Sequence, residues 1–296
     1  MKKSYSIDQS PLYSIRGLKQ LEDRLKLKLS RLEKLLRPQG YRTFRNDNDR
    51  DIQHPVGWLA DVHGRIARNL AKIDTPNYVY SRKYRSYVDN AYQHTGYQPL
   101  VKTDISNFYP STDYTKVKDM FFREFKCSKD VSAILAKICC FRQEHLPTGS
   151  AISGYIAFFA NKPLFDQVQE YAISNGCTFT LYVDDLTISG PAASKRLISK
   201  VVGLIRQHGY LAKRSKTKTF AQSAVKTVTG VVIKGNRCLP QNEKLKEIVD
   251  TKVAISIEND PIVKERLKRS LKGRLLQKSQ IEKINDGIDE YQLIYS

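Results

Sequence analysis

Leucines recur at helical spacing near the start of the chain: Leu18, Leu21, Leu25, Leu29, Leu32, Leu35 and Leu36 form one stripe over residues 17–37, with Lys and Arg on the other face. The pattern predicts an amphipathic helix whose stripe packs on a core and whose basic face is available to a polyanion. Residues 57–73 repeat the period, with Trp58, Leu59, Val62, Ile66 and Leu70 on one side. Further helices are expected over 115–125, 131–141, 152–174 and 192–208, the third beginning after a turn at Pro147 to Gly149. Residues 179–183 and 186–189 are short runs rich in β-branched and apolar side chains, which predicts two strands joined by a tight turn. Residues 226–233 predict another strand, entering a turn at Gly235-Asn236, and 241–296 read as mostly helical. Strands interleaved with helices in this order suit an α+β fold, an antiparallel sheet backed by helices.

The hairpin expected around residue 184 carries unusual chemistry. Its sequence is Tyr182-Val183-Asp184-Asp185, and Asp104 lies upstream in Val101-Lys102-Thr103-Asp104-Ile105-Ser106-Asn107-Phe108-Tyr109. Asp is a favoured turn residue, so a bare Asp-Asp pair is ordinarily a solvated turn. Adjacent half-buried carboxylates, however, repel and are neutralised most simply by cations. Hard oxygen donors select Mg²⁺, with Mn²⁺ as a substitute, and a third carboxylate from a neighbouring strand completes a site for two ions roughly 3.5–4 Å apart. Three carboxylates in this order point to two-metal nucleotidyl transfer.

Charge narrows the partner. The formal net charge is +20 over 296 residues. Residues 201–240 hold eight Lys or Arg and no Asp or Glu, and residues 1–50 hold thirteen basic against six acidic, while 151–200 are balanced at four each. An unopposed basic cluster downstream of the acidic hairpin fits attraction to phosphate better than a merely solvated face. The five cysteines show no metal-ligand spacing, so zinc and a disulfide framework are not expected and a reducing cytoplasm suits them. Met1-Lys2-Lys3 is followed by no apolar stretch, and residues 150–160 are too short to cross a bilayer, so no membrane partner is expected. The length suits one continuous multi-lobed unit without an added nuclease or maturase domain.

These residues resemble the reverse transcriptases, and three further segments resemble those of bacterial retrons. Leu146-Pro147-Thr148-Gly149-Ser150-Ala151-Ile152-Ser153 is similar to the family's Leu-Pro-Gln-Gly segment and lies between the two Asp motifs. Asn90-Ala91-Tyr92-Gln93-His94 matches the Asn-Ala-x-x-His element of retron enzymes, and Val228-Thr229-Gly230 matches their Val-Thr-Gly element. The resemblance covers residues 40–240 well and the two ends only by length. Thr148 stands where the family usually has Gln, Gly154 where it often has Pro, and Val183 where retron enzymes commonly have Ala.

The resemblance implies a polymerase fold with fingers, palm and small helical thumb: basic helices and fingers over 1–100, palm over 101–240 with a fingers part around 120–150, thumb over 241–296. It implies that Asp104, Asp184, Asp185 and the Ile105 carbonyl hold the metals, and that Tyr109 lies under the sugar and rejects ribonucleotides. Arg50, Thr148 and Gly149 would contact the deoxynucleoside triphosphate, and Lys216 would protonate leaving pyrophosphate. Asn90, His94, Lys213, Arg214, Val228, Thr229 and Gly230 would serve RNA binding. His94 as a core histidine, Asn90 as a turn or capping residue and Thr229-Gly230 as a strand bulge are the structural alternatives. The implied partners are a cognate noncoding RNA, primed at the 2′-OH of an internal guanosine, its branched DNA product, host RNase H and a separate effector protein in antiphage defence. A group II intron or diversity-generating reverse transcriptase would share the Asp motifs but prime from a 3′-OH. A non-catalytic basic RNA-binding scaffold would account for the charge but not for the carboxylates.

Overall fold

The computed structural model describes residues 4–28, 30, 38–47 and 49–286. In chain order its elements are α1 (Leu18–Leu25), β1 (Tyr41–Arg45), β2 (Asp51–Pro55), α2 (Gly57–Leu70), α3 (Tyr87–Tyr92), β3 (Leu100–Asp104), α4 (Phe108–Ser111), α5 (Tyr114–Arg123), α6 (Lys129–Cys139) and α7 (Ser153–Ala160). There follow α8 (Lys162–Ser174), β4 (Thr178–Tyr182), β5 (Asp185–Ser189), α9 (Lys195–Gln207), β6 (Lys218–Phe220), β7 (Lys226–Val228), β8 (Val231–Lys234), β9 (Arg237–Leu239), α10 (Asn242–Ile257) and α11 (Pro261–Lys283). The chain groups into two compact units, Met1–Pro76 with Ile105–Gln167 and Ile205–Leu211, and Asn77–Asp104 with Val168–Leu204 and Ala212–Ser296. Among the described residues no helix is long and apolar enough to cross a membrane.

The first unit is helical around one hairpin, β1 against β2, in antiparallel register from Tyr41 opposite Pro55 to Arg45 opposite Asp51. Aromatic rings fill its centre: Phe125 meets Phe121 and Phe159 at 5.6 Å, and Phe158 stacks on Phe165. Helix α5 starts where the Asp113 carboxylate accepts from the Lys116 N–H at 2.8 Å, satisfying one of the orphan donors of a first turn. Helix α1 is shorter than its leucine stripe predicts: Lys26 takes a left-handed φ of 49° and ends it, and residues 29 and 31–37 of the stripe lie outside the described residues. Residues 152–174, expected as one helix, form α7 and α8, parted at Asn161. The Asn161 amide donates to the Ala157 carbonyl at 2.8 Å, a local side-chain bond that competes with continued helix.

The second unit is built on an antiparallel sheet of order β4-β5-β3-β6 and a three-stranded meander β7-β8-β9. The strand expected over 226–233 is in fact a hairpin. Thr229 and Gly230 both have positive φ, 44° and 84°, and Val228 pairs with Val231 across them, the geometry of a two-residue turn with both central residues left-handed. Val88, Ala91, Leu100, Val228, Val231, Ile233, Cys238 and Ile281 form one buried cluster there. Helix α11 is capped by Asp260, whose carboxylate accepts from the Ile262 and Val263 N–H groups, with Pro261 at its first position. The five cysteines are buried and free.

Candidate active site

Strand pairing brings the acidic motifs together. β3 pairs with β5 so that Asp104 lies opposite Asp185, and β4 pairs with β5 so that Tyr182 lies opposite Asp185. The Asp pair is therefore divided: Asp185 opens β5, and only Asp184 belongs to the turn, with Val183. Val183 has a φ of 61°, costly for a β-branched residue. Its N–H is held by the Ser81 hydroxyl at 3.1 Å.

Burial raises the Asp185 carboxyl above the usual carboxylate range; Lys102 opposes the shift and Asp104 adds to it. Lys102, two residues before Asp104 and so on the same face of β3, is half-buried, and its ammonium donates to the Thr227 carbonyl at 2.6 Å. Burial lowers its pKa and Asp185 counters this. Lys216 approaches the Asp104 carboxylate at 3.8 Å but is 53% exposed, a weak pair in water. The segment before it is tied to β3 by the backbone: the Lys213 N–H donates to the Asp104 carbonyl at 2.7 Å, and the Thr103 and Thr217 hydroxyls bond at 2.7 Å.

Among the described residues no three His, Cys, Asp or Glu side chains converge closely enough to hold an ion. The donor chemistry nevertheless fits divalent metal, since carboxylate oxygens are hard ligands. Repulsion from Asp104 on the desolvated Asp185 is the strain that a cation would relieve.

The two elements expected to meet RNA instead largely meet each other. Asn90, His94 and Val228 are fully buried, which corrects their assignment as RNA contacts: a side chain without exposed surface has none to offer. The Asn90 amide reaches the Thr229 hydroxyl at 3.4 Å, and that hydroxyl donates to the Tyr87 carbonyl at 2.8 Å. His94 bridges the Ser189 and Thr180 hydroxyls, both at 2.7 Å, fastening α3 to β5 and β4. Gly230, Lys213 and Arg214 are exposed, and Thr229 is half-buried. Lys226, counted in the basic cluster, is buried and donates to the Gly96 and Gln222 carbonyls.

Residues assigned to the nucleotide lie in the first unit. Thr148 and Gln53 are joined twice: the Thr148 N–H donates to the Gln53 side chain at 2.8 Å and the Gln53 N–H to the Thr148 carbonyl at 3.2 Å. Gly149 has a φ of 144°, and a Cβ there would meet Ile52 Cγ2 at 2.7 Å, so only glycine fits beside β2. His63, unremarked in the sequence, anchors this loop. Its Nε2–H donates to the Ile138 carbonyl at 2.8 Å, leaving Nδ1 to accept from the Ser150 hydroxyl at 2.7 Å. Arg50 is exposed in the β1–β2 turn, where its N–H donates to the Asn46 side chain. Ile105 is buried, and Tyr109, on α4, is half-buried beside Phe108. Sequence reasoning passed over Lys102, His63 and Gln53, though the alternation of β3 already put Lys102 on the face of Asp104.

A protein-family model described as reverse transcriptase (RNA-dependent DNA polymerase) matches residues 16–233. Retron Ec86 reverse transcriptase of Escherichia coli is 30% identical over 203 residues, 67% of this chain and 63% of that protein. Retron Se72 reverse transcriptase of Salmonella heidelberg is 29% identical over 206 residues, 65% of this chain and 53% of that protein. Retron Mx65 reverse transcriptase of Myxococcus xanthus is 24% identical over 186 residues, 54% and 42% respectively. The chain thus spans less than two thirds of the length of each of these relatives.

Proposed function

Because the chain belongs to the reverse transcriptase family, we propose that it is a retron-type RNA-directed DNA polymerase that copies a cognate noncoding RNA into single-stranded DNA. The observation that carries this reading is the register that sets Asp104 opposite Asp185, with Asp184 in the adjoining turn. When bound by these carboxylates and the Ile105 carbonyl, Mg²⁺ ions would activate the primer hydroxyl and neutralise the leaving pyrophosphate. Lys216 is suited to donate a proton to pyrophosphate, being an exposed ammonium near the Asp104 carboxylate whose backbone segment is tied to β3. Tyr109 excludes a ribose 2′-OH, while the Thr148-Gly149 backbone and Arg50 meet the incoming deoxynucleotide. Likeness to retron enzymes supports priming from the 2′-OH of an internal guanosine, trimming of the template by host RNase H, and action beside a separate effector in antiphage defence in the cytoplasm.

Primer extension on an RNA template with deoxynucleotides and Mg²⁺ tests the polymerase reading. Asp184→Asn and Asp185→Asn are each expected to lower the rate by about a thousandfold or more, since each removes charge stabilisation aimed at the transition state. RNA affinity should change little, because it rests on cations elsewhere. Near-normal extension by both variants would overturn the assignment.

A further inference from the structure

The face of β3 that carries Asp104 also carries Lys102, two residues earlier, because side chains two apart on a strand share a face. Register extends that face to β5, where Asp185 lies opposite Asp104 and Thr187 opposite Lys102. Lys102 is thus a strand neighbour of Asp104 and a diagonal neighbour of Asp185, positions roughly 7–8 Å apart. Its inner side is dry. Leu100 on the same face and Thr187 across from it have no exposed surface, and Lys102 itself is half-buried. The ammonium donates to the Thr227 carbonyl at 2.6 Å, which anchors the charge on β7 without engaging a carboxylate oxygen.

Placement separates this cation from the others nearby. Lys216 reaches the Asp104 carboxylate at 3.8 Å but is 53% exposed, and Lys218, opposite Lys102 on β6, is exposed as well. Charges in water are screened by solvent and salt, whereas one fixed on a half-buried sheet face acts at a lower effective dielectric. Burial raises the Asp185 carboxyl, and of the charges acting on it that of Lys102 is the strongest and opposes the rise. Toward a metal the same charge has the opposite effect. It repels any divalent cation that the carboxylates would bind, twice as strongly as it would repel a single charge. Mg²⁺ commonly takes one or two carboxylates and completes its shell with water and substrate phosphates, so a carboxylate face weakened in this way still suits it.

We propose that Lys102 is the resident counter-charge of this face: it offsets the repulsion between Asp104 and Asp185 in the free chain and holds its affinity for divalent cations low, so that a triphosphate's own negative charge is needed to retain them. That the ions serve nucleotidyl transfer rests on the polymerase reading. Mn²⁺ binding to the full chain, without nucleic acid or nucleotide, reads the effect directly through the electron paramagnetic resonance of the free ion. Lys102→Met and Lys102→Gln, both neutral, should bind Mn²⁺ about tenfold more tightly than the wild-type chain, while Lys102→Arg, which keeps the charge, should match it within about twofold. Each is paired with its Asp185→Asn double, so that the difference counts only ions on the carboxylate face. A residue needed only for packing would, when replaced, loosen the site or leave it alone.

Unchanged or weaker binding by natively melting Lys102→Met and Lys102→Gln variants would overturn the proposal. So would equal tightening by Lys102→Arg, which would trace the effect to an altered bond to Thr227 and not to charge. If adding Asp185→Asn leaves Mn²⁺ binding unchanged, in the wild-type chain and in Lys102→Met alike, the carboxylates are not the metal site and the polymerase reading falls with the proposal. Loss of binding in Asp185→Asn without tightening at Lys102 removes the role of Lys102 alone.

Discussion

Selection between two sugars that differ by one hydroxyl can come from volume alone, and Tyr109 is the side chain that supplies it in this reading. Its ring lies 5.9 Å from that of Phe108, and its hydroxyl would stand 3.6 Å from a Cβ added at Gly154. At Gly154, where the family often has Pro, an added Cβ would therefore make only an ordinary contact with Tyr109. Tyr109→Val should open space for a 2′-OH and raise the relative efficiency of ribonucleotide use by about tenfold or more. The quantity to measure is the ratio of kcat/KM for deoxy and ribo substrates, with thermal melting as the control for folding. An unchanged ratio in a stable variant would make Tyr109 a packing residue beside Phe108. Lys102 carries a different lesson at this scale. Its ammonium joins the Thr227 carbonyl, next to Val228-Thr229-Gly230, while its charge acts on Asp185, so one side chain links the β7–β8 hairpin to the acidic face of β3.

Elements in this molecule are fastened to one another by buried imidazoles, and this makes their packing depend on pH. Burial pushes His63 down to about 4 and His94 down to about 3, from the ordinary 6.5. Both are neutral in the folded chain near neutrality, whereas in the unfolded chain they take up protons below about 6.5. Their contribution is therefore complete above 6.5 and is lost as pH falls from 6.5 toward 4, by up to about 1.4 kcal/mol per pH unit for each histidine. Urea unfolding at a series of pH values should show that slope. His94→Gln should reduce it to the part that His63 contributes, while lowering stability near neutrality, because the bridge from Ser189 to Thr180 is lost. An unaltered slope would mean that His94 is not neutral and buried in solution. The same residues show what the sequence made legible. Short β-branched and apolar runs on either side of residue 184 revealed the hairpin, and both of its faces are buried, Phe179, Leu181, Leu186 and Ile188 on one and Thr180, Thr187 and Ser189 on the other. Asn90 and His94 were legible as a motif, with a core histidine as the alternative for His94, but the sequence could not decide between the readings, since polarity alone does not say which polar groups find partners inside. The Thr229-Gly230 turn was hidden within a β-branched run, and the break at Asn161 lay in an apolar stretch whose period continues on both sides. Of the candidate site, the carboxylates could be read because three acids in apolar strands are conspicuous. Gln53 and His63 could not, because their roles arise from hydrogen bonds to a loop far along the chain.

Across the whole molecule the dominant feature is charge, and where it is exposed decides what it can do. Of the eight basic residues in 201–240, Lys226 is buried and bonded to carbonyls, whereas Lys213, Arg214, Lys216 and Lys218 are exposed. Helix α11 adds seven Lys or Arg between residues 264 and 278 against Glu265 alone. Exposed cations that neutralise phosphates release counterions, and for single strands the logarithm of affinity then falls with the logarithm of salt by about 0.7 per phosphate contacted. Lys268, Arg269 and Lys272 are exposed on α11, and the pairing of Arg269 with Glu265, at 3.8 Å and well solvated, is too weak to withhold it. Replacing the three by Ala should reduce the steepness of the salt dependence by about 2 if all three meet phosphate. Asp185→Asn, which removes a carboxylate held within β5, should leave the slope as it is while stopping synthesis. Titrations of an RNA oligonucleotide at several salt concentrations separate the two effects. A triple variant with the wild-type slope would show that the basic length of α11 does not lie along the nucleic acid, and would leave the exposed lysines and arginine between Lys213 and Lys218 as the electrostatic seat of binding in the second unit.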